Sequence, residues 1–234
     1  MAKWVLVTGG TKGIGRAIIE KFASKGFNII TCSRNQNDIE RLKKTIEDDF
    51  SVRVIALTTD VSNKEELDEF CNEVKSQVSK LDVLVNNAGF FIPGSIHEEE
   101  EGTLESMIET NLYSAYRTTR AFIEGMKKRK EGHIFNICST ASVMPYVNGG
   151  SYCISKFAML GMSKVLREEL KALNIRVTAV LPGATLTASW EGADLPEDRF
   201  MKSKDVAEAV WSAYQMSDRT VIEELVMRPQ LGDI

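Results

Sequence analysis

A tyrosine and a lysine stand four residues apart in the stretch Tyr152–Lys156, inside a run whose pattern predicts a helix. Side chains at positions i and i+4 of a helix lie on one face and are neighbours. A free phenol is almost fully protonated at neutral pH, and a neighbouring ammonium favours its ionised form. The pair therefore predicts a group that can give and take a proton, as general acid-base catalysis requires. Ordinary solvated helices also carry this spacing, so the surrounding sequence has to support the prediction.

A glycine-rich turn near the N-terminus follows a predicted strand and precedes a predicted helix. Its spacing is Gly-x-x-x-Gly-x-Gly, which differs from the commoner Gly-x-Gly-x-x-Gly fingerprint. Glycines permit a tight turn and close approach of the backbone to a phosphate, and a helix N-terminus offers free N–H groups. An ordinary loop is the alternative, but the flanking strand and helix favour a dinucleotide site. The predicted phosphate-binding residues are Gly9, Thr11, Lys12, Gly13, Ile14 and Gly15.

The end of the second predicted strand carries Ser33 and Arg34, and the nearest acid downstream is Asp38. In folds of this kind a carboxylate at that point binds the adenosine ribose of NAD, whereas an arginine suits the 2′-phosphate of NADP. A solvated arginine with no ligand is the alternative for Arg34. Lys12 in the facing loop favours the phosphate site, so the sequence predicts NADP(H).

Several polar residues follow or interrupt other predicted elements. Asp60 follows the third strand and is either a helix cap or a hydrogen-bond acceptor for an adenine amine. Asn86 and Asn87 end the fourth strand, where their amides need partners and are expected to tie neighbouring loops together. Asn111 lies within a predicted helix, and is either exposed on its surface or part of a kink that binds water.

Strand-like apolar runs alternate with amphipathic stretches along the whole chain. This alternation predicts a parallel sheet with helices on both faces, and ligands of such sheets bind outside the carboxyl ends of the strands. Ser139, Asn87, the glycine loop and Pro182-Gly183 are all predicted at that edge. The predicted strands are Trp4–Thr8, Asn28–Cys32, Arg53–Thr58, Val83–Asn86, His133–Cys138, Arg176–Leu181 and Ile222–Met227. The predicted helices are Ile14–Lys25, Asp38–Asp48, Lys64–Ser79, Thr103–Lys130, Tyr152–Ala172 and Lys204–Met216.

Length and composition restrict the class of protein. The 234 residues suit one domain over 1–234, with 43% hydrophobic and 26% charged residues and a net charge of −4. A basic excess that would indicate nucleic acid is missing, as is an apolar run long enough for a membrane span or a signal peptide. The four cysteines show no metal-binding spacing and only two histidines are present. We therefore expect a cytoplasmic protein with reduced thiols and with no metal site.

Taken together, these motifs resemble the short-chain dehydrogenase/reductase family over nearly the whole chain. The resemblance is carried, in order, by Thr8–Gly15, Asn86–Gly89, Asn111, Ser139, Tyr152–Lys156 and Pro182–Thr187. It implies a Rossmann-type, doubly wound, seven-stranded parallel sheet in a single domain. It also implies an NADP(H)-dependent oxidoreductase. The remaining cofactor-binding residues that it implies are Val61, Ala88, Gly89, Pro182, Gly183, Thr185 and Thr187, with Asp60 and Asn87.

The resemblance also implies a role for each catalytic residue. Tyr152 would donate the proton in reduction and accept it in oxidation, and Lys156 would assist Tyr152 and bind the nicotinamide ribose. Ser139 would hold the substrate carbonyl oxygen. Asn111 would fix a water that joins Lys156 to solvent, and Thr185 and Thr187 would orient the nicotinamide carboxamide.

Within the family, the C-terminal sequence is more similar to sepiapterin-reductase-like carbonyl reductases than to ketoacyl carrier-protein reductases, whose tails resemble Val-Asp-Gly-Gly. Leu173-Asn174 stands where those ketoacyl reductases tend to carry an arginine. The basic run Lys127–Lys130 is either a docking site for an acidic carrier protein or a solvated helix end. We therefore predict a carbonyl reductase. A 3-oxoacyl carrier-protein reductase is the alternative enzyme, and a dinucleotide-sensing regulator is the alternative of another class.

Large apolar residues follow several of the motifs and are either core residues or the wall of a substrate pocket. As a set at the reactive edge they favour a small apolar or aromatic carbonyl substrate. The segment 184–201 lies between a strand and a helix and is predicted to form a substrate loop or lid. The helices Thr103–Lys130 and Tyr152–Ala172 are expected to form a homodimer or homotetramer. The candidate pocket residues are Phe90, Phe91, Ile92, Ser139, Met144, Tyr146, Leu186 and Trp190.

Overall fold

The structure is a computed structural model that describes residues 2–187, 190 and 195–234. Within these residues, seven strands form one sheet in the order β3-β2-β1-β4-β5-β6-β7. Every neighbouring pair is parallel, which confirms the predicted doubly wound Rossmann-type arrangement. The strands are β1 (Trp4–Thr8), β2 (Asn28–Ser33), β3 (Val54–Thr58), β4 (Val83–Asn86), β5 (Gly132–Ile137), β6 (Ile175–Pro182) and β7 (Glu224–Met227).

Helices cover both faces of the sheet because successive strand residues point to opposite sides. In β1, Val5 and Val7 pack in one apolar cluster together with residues of α1, α2 and α7. Trp4 and Leu6 pack in a second cluster with residues of α3, α5 and α6. The helices are α1 (Gly13–Ala23), α2 (Gln36–Phe50), α3 (Lys64–Gln77), α4 (Thr103–Ile108), α5 (Ser114–Arg129), α6 (Gly150–Leu170) and α7 (Ser203–Gln215).

The stretch 103–130 is not the single regular helix that the sequence predicts. A π-helical turn, Glu109–Tyr113, separates α4 from α5. Asn111 lies in this turn and is 1% exposed, so the alternative of a surface asparagine is wrong. Single π-helical turns inside helices frequently mark functional sites, which fits the predicted kink.

Asp60 does not cap the helix that follows it. The cap of α3 is Asn63, whose side chain accepts hydrogen bonds from the Glu65 and Glu66 amides at 3.0 and 3.2 Å. The Asp60 carboxylate instead accepts from the Ser62 amide at 2.9 Å and from its hydroxyl at 2.7 Å. Asp60 therefore stabilises the turn between β3 and α3, and the helix-cap alternative for it is wrong.

All four cysteines are buried and free. Burial raises the pKa of the Cys32 thiol to about 12 and that of the Cys71 thiol to about 12. Protonated, buried thiols are unreactive, so these side chains serve as small apolar groups of the core. Among the described residues, no helix combines the length and the apolar character that crossing a membrane requires.

His133 in β5 makes the stability of the protein depend on pH. Its Nε2 lies 2.8 Å from Thr178 Oγ1, and its ring stacks on Phe135 at 3.9 Å between centroids. Burial, with the nearby Arg176 charge, holds the pKa of His133 well below its usual value. The unfolded chain protonates this histidine near pH 6.5, so below that pH the unfolded state binds more protons and the fold loses stability.

We expect the free energy of unfolding to be about 1.4 kcal/mol lower at about pH 5.5 than at about pH 7.5 through this residue alone. Urea unfolding at both pH values measures the difference. His133→Gln should remove most of it, whereas His97→Gln, at an exposed histidine, should leave it in place. The same pH dependence in all three proteins would contradict the assignment to His133.

Candidate active site

A cleft of about 930 Å³ lies outside the carboxyl ends of the strands. Loops that follow β1, β2, β3, β4, β5 and β6 all contribute to its lining. Of the predicted site residues, the structure brings together every one except Ile92, Asn111 and Leu186. The lining includes, from the predicted cofactor and catalytic sets, Gly9, Thr11, Lys12, Gly13, Ile14, Gly15, Ser33, Arg34, Asp60, Val61, Asn87, Ala88, Gly89, Ser139, Tyr152, Lys156, Pro182, Gly183, Thr185 and Thr187.

The glycine-rich loop turns sharply from β1 into α1. Gly9 and Gly13 have φ values of 68° and 55°, which residues other than glycine rarely adopt. Gly15 leaves room for the loop after β4, because a Cβ at position 15 would lie 2.5 Å from the side-chain nitrogen of Asn87. Asn87 in turn donates to the main-chain oxygens of Thr8 and Gly9 at 2.9 and 3.1 Å, which confirms that it ties neighbouring loops together.

Charged side chains gather at the end of β2. Arg34 is exposed and lines the cleft beside Ser33. The Lys12 ammonium lies 3.6 Å from an oxygen of Asp38, whose other oxygen accepts from Arg41 at 2.8 Å. This part of the cleft therefore holds two cations that line it and one carboxylate. Exposed ion pairs contribute only about 0–1 kcal/mol, so an anionic ligand can compete with Asp38 for Lys12.

Tyr152 and Lys156 lie in the first two turns of α6. The Lys156 ammonium is buried, lies 5.7 Å from the centroid of the Tyr152 ring, and donates to the main-chain oxygen of Ile137 at 3.0 Å. A buried ammonium requires hydrogen-bond partners, and this bond uses one of its three protons. The other two can serve Tyr152 or a ligand in the cleft.

Ser139 follows β5 and faces the same cleft. Its hydroxyl oxygen accepts from the Ala141 amide at 3.1 Å, and its own amide donates to the Ser142 hydroxyl at 3.2 Å. These two bonds hold the loop after β5 in place. Because the Ser139 oxygen accepts the first bond, its hydroxyl proton is free to be donated to a ligand oxygen.

Asn111 lies behind the cleft wall and does not line the cleft. Its carboxamide oxygen accepts from the Phe90 amide at 2.9 Å, while its nitrogen donates to the Phe90 main-chain oxygen and to Ser155 Oγ, both at 3.0 Å. The side chain thus joins the loop after β4 to the helix that carries Tyr152. Both of its ends are used in these contacts.

Aromatic side chains line the cleft beside Tyr152. The Phe91 ring packs edge-on against Tyr152 at 4.9 Å between centroids and lies 6.5 Å from the Tyr146 ring. Burial, with a smaller effect of Tyr152, raises the pKa of Tyr146, so its phenol stays protonated at neutral pH. Met144 and Trp190 also line the cleft, as do Phe90 and Phe91, whereas Ile92 does not.

The segment 184–201 is described only in part, because 188, 189 and 191–194 lie outside the described residues. Leu186 does not line the cleft: its amide donates to the Met201 main-chain oxygen at 2.9 Å, and its side chain is largely exposed. The prediction that Leu186 lines the substrate pocket is therefore wrong. The predicted lid function of the segment stays a prediction.

Two groups near the cleft escaped the sequence analysis. Asp233 and Ile234 line it although they follow the last strand, and Asp233 pairs with Arg228. Glu99 contacts Ser151 at the start of α6 with both carboxylate oxygens. No sequence motif includes these residues. Glu99 lies 52 positions from its partner Ser151, and Asp233 pairs with Arg228 in the segment after the last strand.

Comparison with known proteins places the chain in a family. The family model described as short chain dehydrogenase matches residues 3–197. Sepiapterin reductase of Chlorobaculum tepidum is 31% identical over 238 residues, covering 98% of this chain and 97% of that protein. Alcohol dehydrogenase from Thermococcus sibiricus, complexed with 5-hydroxy-NADP, has a TM-score of 0.92 at 27% identity over 98% and 97% of the two chains. L-sorbose reductase from Gluconobacter frateurii, complexed with NADPH and L-sorbose, has a TM-score of 0.90 at 27% identity over 97% and 95%. The chain belongs to the short chain dehydrogenase family of oxidoreductases.

Proposed function

We propose that this protein is an NADP(H)-dependent carbonyl reductase that converts a ketone or aldehyde to an alcohol, with Tyr152 as the proton donor. The observation that carries the proposal is one cleft that contains Tyr152, Lys156 and Ser139 together with the glycine-rich loop and Arg34. Two structurally similar proteins are complexed with NADP-type molecules, which supports the choice of cofactor.

The residues of the cleft fit a dinucleotide phosphate. Lys12, the residue before α1, makes no side-chain hydrogen bond to the first turn of this helix. The first amides of α1 are therefore not capped by it. Such amides and the positive end of the helix dipole form an anion site. Arg34 and Lys12 would bind the 2′-phosphate, because cations and strong donors are what a dianion requires. Lys156, Thr185 and Thr187 would hold the nicotinamide end.

The nicotinamide, when bound, supplies the hydride for the carbonyl carbon. The Ser139 hydroxyl donates a hydrogen bond to the carbonyl oxygen, where negative charge develops in the transition state. Tyr152 transfers its phenolic proton to the same oxygen, which completes the alcohol. Lys156 stabilises the phenolate that remains, because its ammonium is held beside the ring by Ile137.

Proton supply to Tyr152 would pass through Lys156 and a water at the π-helical turn. Both amide protons of the Asn111 side chain are used by Phe90 and Ser155, so the water would donate to an oxygen of Asn111, either that of the carboxamide or that of the main chain. Asn111 thus fixes the turn with its side chain and would also hold the water.

The lining next to Tyr152 favours a small apolar or aromatic carbonyl compound. Phe91, Met144, Tyr146 and Trp190 supply apolar surface there. Most small-molecule sites combine such surface with a few polar groups that fix orientation. The protonated Tyr146 phenol offers one further donor to a polar group of the substrate.

We further propose that the chain assembles as a homodimer or homotetramer through 103–130 and α6. The exposed side chains Tyr116, Phe157 and Val165 on α5 and α6 support this proposal. Light scattering after gel filtration measures the subunit number, and a monomer at micromolar concentration would contradict it. The four buried free thiols support a reducing compartment such as the cytoplasm.

The function is tested by following NADPH oxidation with diketones, aldehydes, pterins and ketoacyl thioesters. We expect turnover with at least one small carbonyl compound. Activity confined to ketoacyl thioesters would favour the 3-oxoacyl carrier-protein reductase instead. Tight NADPH binding without oxidation by any substrate would indicate a dinucleotide-sensing protein and would overturn the proposal.

A further inference from the structure

Glu99 caps the helix that carries Tyr152, although it lies 52 positions before its partner. One carboxylate oxygen accepts from the Ser151 amide at 2.8 Å, and the other accepts the Ser151 hydroxyl proton. The residue at the cap position of α6 is Gly149, which has no side chain to do this. The first turn of α6 is therefore capped by a carboxylate from the loop between β4 and α4.

This cap acts directly beside the proposed proton donor. Ser151 precedes Tyr152 in the chain, so fixing the amide of Ser151 fixes the main chain from which the tyrosine side chain starts. A negative charge at a helix N-terminus also interacts favourably with the helix dipole. α6 spans 21 residues, so its first turn has the full dipole of a long helix.

Glu99 also joins the two loops that form the aromatic wall of the cleft. Gly94 bridges to Gly149 in parallel register, and the Gly94 amide donates to the Asn148 main-chain oxygen at 3.0 Å. A Cβ at Gly150 would overlap the Glu99 carboxylate, and one at Gly94 would lie 2.7 Å from Glu99 Cγ. The two glycines thus give the Glu99 side chain the space that it occupies between the loops.

We propose that Glu99 is a positioning residue for the carbonyl reduction proposed above, on which this inference rests. By capping α6, its carboxylate holds Tyr152 in the position from which the phenol can transfer its proton. It also keeps the loop that carries Phe91 against the loop that carries Tyr146. Glu99 does not line the cleft, so it acts through Ser151.

The test compares Glu99→Ala, Glu99→Gln and Glu98→Gln. Glu98 is the matched control, because it is adjacent, acidic and exposed, and its only ion pair among the described residues is with His97 at 3.7 Å. A misplacement of about 1 Å can cost about 10²-fold in rate, so Glu99→Ala should lower kcat by about 10- to 100-fold. Glu99→Gln retains an acceptor for the Ser151 amide and should recover part of this loss. Glu98→Gln should match the wild type. Because neither acid lines the cleft, the Kd for NADPH should stay within about threefold in all variants.

Hydrogen exchange gives a readout that needs neither substrate nor cofactor. Glu99→Ala should speed amide exchange in peptides covering 148–156 while the strands of the sheet keep their protection. If Glu99→Ala does not fold, Ser151→Ala removes only the hydroxyl contact and should give a smaller change of the same kind. Wild-type kcat in Glu99→Ala, or faster exchange in every helix with unchanged kcat per folded molecule, would overturn the positioning role. Faster local exchange in a protein that reduces no carbonyl compound would support the cap and refute the proposed function instead.

Discussion

Replacing Tyr152 with phenylalanine is expected to lower kcat for carbonyl reduction by at least about 10²–10⁴-fold, the effect typical of a general acid. The change removes the transferable proton and keeps the ring that packs against Phe91 at 4.9 Å. Lys156 keeps its bond to the Ile137 oxygen, so NADPH should still bind. Steady-state kinetics at saturating NADPH and fluorescence titration of the cofactor measure the two quantities separately.

Tyr146→Phe is the matched control for this variant. It removes a phenol from the same aromatic wall, but burial raises the pKa of that phenol and so makes it a weaker proton donor. We expect its main effect on KM for the carbonyl substrate, with a loss in kcat below about tenfold, well under the lower limit of about 10²-fold set for Tyr152. Near-normal turnover in Tyr152→Phe, or equal losses in both variants, would refute the assignment of Tyr152 as the proton donor.

NADPH should be preferred to NADH, and the preference should depend on Arg34 and Lys12. A charge-assisted hydrogen bond contributes about 1.5–3 kcal/mol, so two of them would separate the cofactors by about 10²–10⁴-fold. Both side chains are exposed, and solvent screening favours the lower part of this range. Arg34→Ala and Lys12→Ala should each lower kcat/KM for NADPH by at least about tenfold while leaving NADH use almost unchanged.

Asp38 supplies a variant with the opposite expected sign. Asp38→Asn removes the carboxylate 3.6 Å from the Lys12 ammonium and should raise kcat/KM for NADPH by up to about fivefold. Lys44→Ala, at an exposed cation of α2 that does not line the cleft, controls for net charge. Equal losses with both cofactors in Arg34→Ala and Lys12→Ala would mean that these residues hold the fold or the pyrophosphate.

The sheet and the cleft could be predicted because their signals are local in sequence. Apolar runs buried on both faces specify the strands of a parallel sheet, and the glycine spacing specifies the turn after β1. The carboxyl ends of parallel strands meet at one edge, so Ser139, Asn87 and Pro182 could be placed together before the structure was known. For the strands only the ends differ, as for β7, which begins at Glu224 and not at Ile222.

Other features depend on contacts between residues that are distant in sequence. The π-helical turn at Asn111 has its side-chain partners in Phe90 and Ser155, and helical periodicity carries no sign of either contact. Glu99 reads as one acid in an acidic loop until its contact with Ser151 is known. Leu186 is apolar and lies within the cofactor motif, yet its backbone pairs with Met201 and it does not line the cleft.

The central claim is that a hydride moves from NADPH to a carbonyl carbon in this cleft. The most direct test uses NADPH carrying deuterium at one or the other C4 position, with a carbonyl compound that the protein reduces. Mass spectrometry of the alcohol should show one deuterium on the carbinol carbon from one of the two labelled cofactors and none from the other. An alcohol without deuterium from either cofactor, or no alcohol from any carbonyl compound tested, would contradict the account.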